Sequence, residues 1–270
     1  MRVLIPIDGS ECSKAAVDYI KERPWNKDDC FLLVHVVEPI PVDIGIAYIP
    51  AAYTPDEGAA FSQSEALLQV VLGDLKSVLT NQIDTKVIAG PAKAEIVDLA
   101  QEWKADLIVM GSTGATGWKE WTKGSNAEHV VREASCPVLV VKAPANEFHR
   151  VVFAVDFENT EFIKPALTLL GKTQIDPHFV YVDNGMKYFD SKVLRAKMGK
   201  LALELGLSNY QFEIFEDSTV EKGILDYAKA VEADMIVMYT HGRKGFEHFI
   251  YGSVAEDVVN HAEVAVIVGH

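Results

Sequence analysis

The sequence predicts an α/β protein: two tandem open five-stranded parallel sheets, each with helices on both faces. Three observations carry this expectation. Short apolar, β-branched runs alternate with segments of helical spacing along the whole chain, the pattern of a parallel sheet covered on both sides. The order of these runs in the first half returns in the second, which indicates duplication of a complete unit rather than a solenoid of short repeats. A glycine pattern is also written twice, Gly111-Ser-Thr-Gly114 leading to Gly124-Ser125 and Tyr239-Thr-His-Gly242 leading to Gly252-Ser253, with nine residues between in each copy.

In the first half, residues 3–7 read as a strand and 10–20 as a helix with a polar start. Residues 31–37 form a second strand, followed by the unusual stretch 38–62, rich in Pro, Ala, Ile and Tyr. Helical spacing resumes over 64–79; then come strand 85–89, helix 94–102, strand 107–110, helix 126–134 and a last strand at 138–142. In the second half, 151–155 leads to Asp156 as 4–7 leads to Asp8, and 179–182 answers 33–36. Ala105-Asp-Leu-Ile-Val-Met110 returns as Ala233-Asp-Met-Ile-Val-Met238. The shortening of the second copy falls mostly where 38–62 has no full counterpart. Ala143-Pro-Ala-Asn146 reads as the linker, giving domains over 1–143 and 148–270.

The formal net charge is −14, with seven excess negative charges in each half. An acidic balance this even leaves no footprint for nucleic acid or an anionic membrane. Three cysteines without metal-ligand spacing fit reduced thiols in a cytoplasm better than a disulfide framework. No apolar stretch approaches the roughly 20 residues needed to span a bilayer, and the first residues read as a strand rather than a signal peptide. The expectation is a cytoplasmic protein.

In an open α/β sheet, ligands collect outside the carboxyl ends of the strands, where the strand order reverses. Pro6-Ile7-Asp8, His35-Val36-Val37 and Met110-Gly111 all end at that edge. Gly111 and Gly114 allow a tight curl of backbone around an anion, and Gly124-Ser125 opens the next helix with free N–H groups, a hydroxyl and the positive end of the dipole. Lys119 and Lys123 add local positive charge. Ser125 and Ser253 serve equally well as helix N-caps. The pattern has neither the Lys-Ser/Thr end of a Walker loop nor the glycine spacing of a dinucleotide fingerprint. His35 and His129 read as packed or hydrogen-bonded histidines, and His241, His248 and His261 lack a paired metal-ligand spacing. Trp118 and Trp121 read as cover for a helix or loop face, and 38–62 as a lid, a partner surface or a packed strap. No catalytic residues are assigned.

The strand ending in Asp8-Gly-Ser, the Gly111-x-x-Gly114-x9-Gly124-Ser125 pattern and Cys136-Pro-Val-Leu-Val-Val together resemble the universal stress protein family, in two tandem copies. The resemblance implies a Rossmann-like, adenine nucleotide alpha-hydrolase-like fold. In its ATP-binding branch, adenosine lies near the first two strands and the triphosphate on the glycine loop. Carried over residue by residue, Pro6, Ile7 and Asp8 border adenine and ribose, and the Val36 backbone meets the adenine edge. Met110, Gly111, Thr113, Gly114, Gly124, Ser125 and Asn126 line the ribose–phosphate path. In the second half, Tyr239 stands at the position of Gly111 and His241 at that of Thr113. Tyr239 either excludes ATP there or stacks on an adenine.

The resemblance therefore implies an ATP-binding stress-response protein, with Mg²⁺ bridging phosphate oxygens. Binding would order the glycine loop and 38–62 and so alter a surface read by a protein partner. The last strands of the two halves, 138–142 and 264–268, are expected to pair in a pseudo-dimer, and a homodimer of whole chains is compatible with this. A slow ATPase or nucleotidyl-transfer enzyme in the same pocket, and a nucleotide-independent interaction scaffold, are the alternatives.

Overall fold

The computed structural model describes residues 1–38, 57–111, 126–142, 148–170, 175–186, 190–240 and 251–270. The first half runs β1 (Arg2–Pro6), α1 (Glu11–Glu22), β2 (Cys30–Val37), α2 (Glu57–Lys76), β3 (Gln82–Ala89), α3 (Ala92–Glu102), β4 (Leu107–Gly111), α4 (Asn126–Glu133) and β5 (Val138–Val141). The second runs β6 (Arg150–Ala154), α5 (Ile163–Leu169), β7 (Asp176–Asp183), α6 (Ser191–Leu205), β8 (Gln211–Glu216), α7 (Val220–Ala230), β9 (Met235–Tyr239), α8 (Tyr251–His261) and β10 (Ala265–Gly269). The predicted elements stand in their predicted order. The largest shift is at α2, which begins at Glu57 and so takes in the end of the 38–62 segment. Residues 39–56, the proposed linker at 143–146 and most of both glycine patterns, with Trp118, Trp121, His241 and His248, lie outside the described residues.

The strands form one sheet of ten, in the order β3-β2-β1-β4-β5-β10-β9-β6-β7-β8. Within each half every pairing is parallel, and the two five-stranded sheets join where β5 meets β10 antiparallel. There Val138 faces Val268, Leu139 faces Ile267 and Val140 faces Val266. One apolar core packs α1, α2, α5 and α6 on one face, and a second packs α3, α4, α7 and α8 on the other. Both cores run through the two halves. Across the junction the Tyr19 and Phe148 rings lie 5.6 Å apart, Arg132 of α4 pairs with Glu256 of α8 at 3.1 Å, and Lys142 donates to the Val259 carbonyl near the end of α8.

Local devices repeat with the fold. Asp106 accepts the Arg2 amide at 2.7 Å and Asp234 the Arg150 amide at 2.7 Å, so the acid before β4 or β9 fastens the start of the neighbouring strand. Lys104 and Glu232 both adopt φ 53° after their helices. Val34 pairs with Lys86, and its counterpart Val180 with Glu213, so nearly all the shortening of the second copy falls between its second and third strands.

The end of the fourth strand is where the copies part. A Cβ on Gly111 would lie 1.9 Å from the carbonyl oxygen of Cys12, in the first turn of α1. That turn is built by Ser10, whose hydroxyl accepts the Ser13 amide as N-cap. Gly111 is therefore required first by helix packing, a reason distinct from the ligand approach expected from its position in the glycine pattern. In the second half Tyr239 occupies the position, and α5 begins only at Ile163, one turn later than α1 relative to its strand. The Tyr239 ring instead tilts against Phe162 at 5.6 Å.

Two outcomes follow from this packing. Leu139→Ala at the antiparallel junction is expected to cost about 2–5 kcal/mol in urea unfolding, and the double variant with Ile267→Ala should be non-additive because the two residues face each other. Additive losses would mean that the junction does not couple them. Gly111→Ala should lower stability by about 1–3 kcal/mol through overpacking against Cys12, read as a fall in Tm without any ligand present.

Candidate functional site

The strand order reverses beside β1, which lies between β2 and β4, and a cavity of about 230 Å³ opens there at the carboxyl ends of the strands. Seven residues singled out from the sequence line it: Pro6, Ile7 and Asp8 after β1, Val36 on β2, Met110 and Gly111 ending β4, and Asn126 opening α4. Thr113, Gly114, Gly124 and Ser125 lie outside the described residues. Six further lining residues matter to the chemistry: Ser10, Cys12 and Ser13 at the start of α1, His35 on β2, and Ala92 and Ile96 from the first two turns of α3.

Asp8 begins a tight turn. Its Oδ1 accepts from the Ser10 amide at 2.9 Å and the Ser10 hydroxyl at 2.6 Å, and Gly9 turns the chain at φ +79°, where a side chain would be strained. Burial works against the charge on Asp8, but the hydrogen bonds from Ser10 and Ser13 outweigh it and hold the carboxyl below its ordinary range. The cavity thus carries a fixed carboxylate. Burial, reinforced by Asp8, pushes the Cys12 thiol up, so it stays protonated and unreactive at neutral pH.

His35 Nδ1 lies 2.7 Å from the Ile7 carbonyl. Because that oxygen can only accept, Nδ1 carries a proton and donates to it. The hydrogen bond makes His35 a structural tie between β1 and β2 on the cavity wall. Pro91 has no side-chain cap to offer α3, and the Glu38 carboxylate at the end of β2 accepts the Ala92 amide at 2.9 Å instead. That places a second acid beside the cavity, already committed to a helix N-terminus. Among the described residues no group of three His, Cys, Asp or Glu side chains is placed to hold a metal.

The second half keeps the same cavity, element for element, at about 60 Å³. Ala154, Val155 and Asp156 stand where Pro6, Ile7 and Asp8 stand, Val182 answers Val36, Val220 replaces Ala92, and Val254 replaces Asn126. The small and polar positions have become branched and apolar, and Tyr239 adds a ring to the wall. Asp156 repeats the Asp8 turn, accepting the Glu158 amide at 2.8 Å. The residue after it is Phe157, which holds φ +64° where the first half uses Gly9. Its ring is fixed by Tyr181 at 6.1 Å and Phe212 at 5.9 Å.

Sequence reasoning missed Ser10, Ser13, Ala92 and Ile96 as cavity walls. Ser10 was visible as an N-cap signal following Asp-Gly, and Ala92 as a small residue opening a helix after Gly90-Pro91. Ala92 and Ile96 reach the cavity only through the packing of α3 on β2, which no local pattern reports.

The universal stress protein family profile matches this chain twice, over residues 1–142 and 147–270. A universal stress protein of Methanocaldococcus jannaschii is 36% identical over 152 residues, which cover 54% of this chain and 84% of that protein. A universal stress protein A homolog of Coxiella burnetii is 32% identical over 126 residues, covering 47% of this chain and 83% of the relative. The crystal structure of a universal stress protein from Archaeoglobus fulgidus superimposes along the whole length, with TM-score 0.76 at 24% identity, covering 99% of this chain and 97% of that one. That likeness establishes the fold. With both copies of its repeat matched, the chain belongs to the universal stress protein family.

Proposed function

We propose that the first half binds an adenine nucleotide, ATP accompanied by Mg²⁺, and that binding rather than turnover is the activity. The observation that carries this reading is the contrast between two equivalent cavities: about 230 Å³ in the first half, against about 60 Å³ in the second, where Asp156 is kept but Val220, Val254 and Tyr239 stand for Ala92, Asn126 and Gly111. The base and sugar occupy the cavity, which is smaller than a typical pocket of about 300 Å³ or more for a whole ligand. Asp8 accepts from the ribose hydroxyls, Val36 offers its backbone to the adenine edge, and the phosphates extend toward Gly114, Gly124 and Ser125. Mg²⁺, when bound with the nucleotide, would supply positive charge to the phosphates beside a fixed Asp8 carboxylate.

The second half, with its smaller cavity narrowed by Val220, Val254 and Tyr239, does not take the nucleotide and serves to complete the sheet. Asp8 is committed to Ser10 and Ser13 as an ionised turn-former, which suits an acceptor for hydroxyls better than a water-activating base. The role in stress adaptation is a regulatory one, in which the occupied and empty first halves present different surfaces to a protein partner.

Calorimetric titration with ATP and Mg²⁺ should give one site per chain, and Asp8→Asn should weaken it by roughly tenfold. Two sites per chain would overturn the assignment to the first half, and absence of both heat and thermal shift would sink the nucleotide reading. Asp8 also sets a pH dependence. Its folded pKa lies below the ordinary 3.8, so its contribution to stability is full above that range and is lost as pH falls through the depressed value. The acid limb of the Tm-versus-pH curve below about pH 4 should therefore be shallower in Asp8→Asn.

A further inference from the structure

The nucleotide cavity lies at the carboxyl ends of the first half's strands. At their amino ends a larger groove, about 1000 Å³, lies between the halves. One wall comes from the first half, with Met1, Asp29 and Asp106 at the strand starts and 23–26 following α1. The facing wall is α5 of the second half, with Ile267 of β10 beside it. The apolar part of the lining is Trp25, Pro137, Phe162, Leu169 and Ile267.

The charges around it divide into spent and unspent. Asp29 is 4% exposed and accepts from the Met1 amino group and the Asn26 amide, both at 2.7 Å. Asp106 accepts the Arg2 amide. The cations have no such partners. Arg23 lies with its guanidinium 5.1 Å above the Trp25 ring and 5.9 Å from that of Tyr19. Its Nη1 donates to the Tyr19 hydroxyl at 2.6 Å, while its Nε is buried without an acceptor. Among the described residues neither Arg23 nor Lys164 of α5 has an acid partner. Arg23 and Lys164, one from each half, thus stand without a direct acid partner at a groove whose other charges are the Met1 amino group, Asp29 and Asp106. A guanidinium whose charge no acid of the chain meets directly leaves its accessible edge free to take an anion.

We infer that this groove binds an amphipathic anion, with an apolar chain or ring laid against Trp25, Phe162 and Leu169 and a carboxylate or phosphate head on Arg23. Lys164 supplies the second charge from the other wall. The guanidinium edge matches such a head in a way that a neutral group cannot reproduce. Because Arg23 belongs to the first half and Lys164 to the second, an occupant ties the halves together at the edge away from the nucleotide.

The test is titration calorimetry of the full chain with sodium decanoate and with decyl phosphate, beside neutral decanol as the uncharged comparator. At least one anion should bind at one per chain, about tenfold or more tighter than decanol. Arg23→Gln should bring that anion to the level of decanol. Lys164→Gln, at an exposed position, should weaken it by roughly threefold. Whichever head binds identifies the class, carboxylate or phosphate. Saturating ATP and Mg²⁺ should leave the affinity unchanged, and competition would place the ligand in the other cavity and overturn the inference. Decanol binding as tightly as both anions, no binding of either anion, or unchanged affinity in Lys164→Gln and Lys164→Glu would each overturn it as well. The two Lys164 variants keep the test valid if Arg23→Gln, which loses its bond to Tyr19, fails to fold.

Discussion

The antiparallel pairing of β5 with β10 is the constraint on which the remaining architecture depends. A parallel five-stranded unit of this order ends in a strand whose outer side offers unpaired N–H and C=O groups. Here that strand is four residues long, Val-Leu-Val-Val, and fully buried. It is too apolar to face water and too short to be protected by its own bulk. The second copy ends in the same way, and pairing the two ends removes both open edges at once. The chain then has one sheet and two apolar cores that each run through both halves. Lys142 shows how firmly the halves are drawn together: burial pushes its ammonium down to about 8, while it donates to a carbonyl of the opposite half.

Once the two halves are joined in this way, their carboxyl edges are free to differ. The difference begins at one atom. With no Cβ, Gly111 lets the first turn of α1 come down onto the end of β4, and the cap that builds that turn also holds Asp8. A tyrosine at the same place cannot coexist with such a turn. In the second half the turn is gone, the helix begins later, and a Phe162–Tyr239 pair fills the space. The N-cap geometry and the start of the helix therefore follow from a single packing choice.

The fold was legible because its signals are local and repeated. Apolar runs such as 107–110 and 138–142 have few alternatives to buried parallel strands, and a second copy of each confirmed the reading. Seven cavity residues were legible for the same reason, since strand ends and the glycine pattern mark the edge where β1 separates its neighbours. The α3 contribution was not, because Ala92 and Ile96 enter the cavity through a contact set by a carboxylate from β2. The role of Gly111 was seen in part. The sequence shows that a side chain is excluded there, but whether by ligand or by helix depends on how closely α1 approaches, and spacing along the chain does not encode that distance. The groove between the halves was invisible for a related reason: Arg23 and Lys164 are far apart in sequence and meet only through the pairing of β5 with β10.

Phe157 shows which way the balance has moved in the second half. A phenylalanine at φ +64° carries backbone strain of roughly 1–3 kcal/mol, which Gly9 avoids at the same turn. Partial burial of the aromatic ring offsets some of this strain, and here the half-buried ring lies between Tyr181 and Phe212. A glycine at this turn keeps the edge open and small, whereas a phenylalanine converts it into part of the core. Val220, Val254 and Tyr239 change the same edge in the same sense, each adding apolar bulk where the first half has Ala92, Asn126 and Gly111. Four positions altered toward apolar bulk thus accompany the smaller cavity at this edge, about 60 Å³ against about 230 Å³ in the first half.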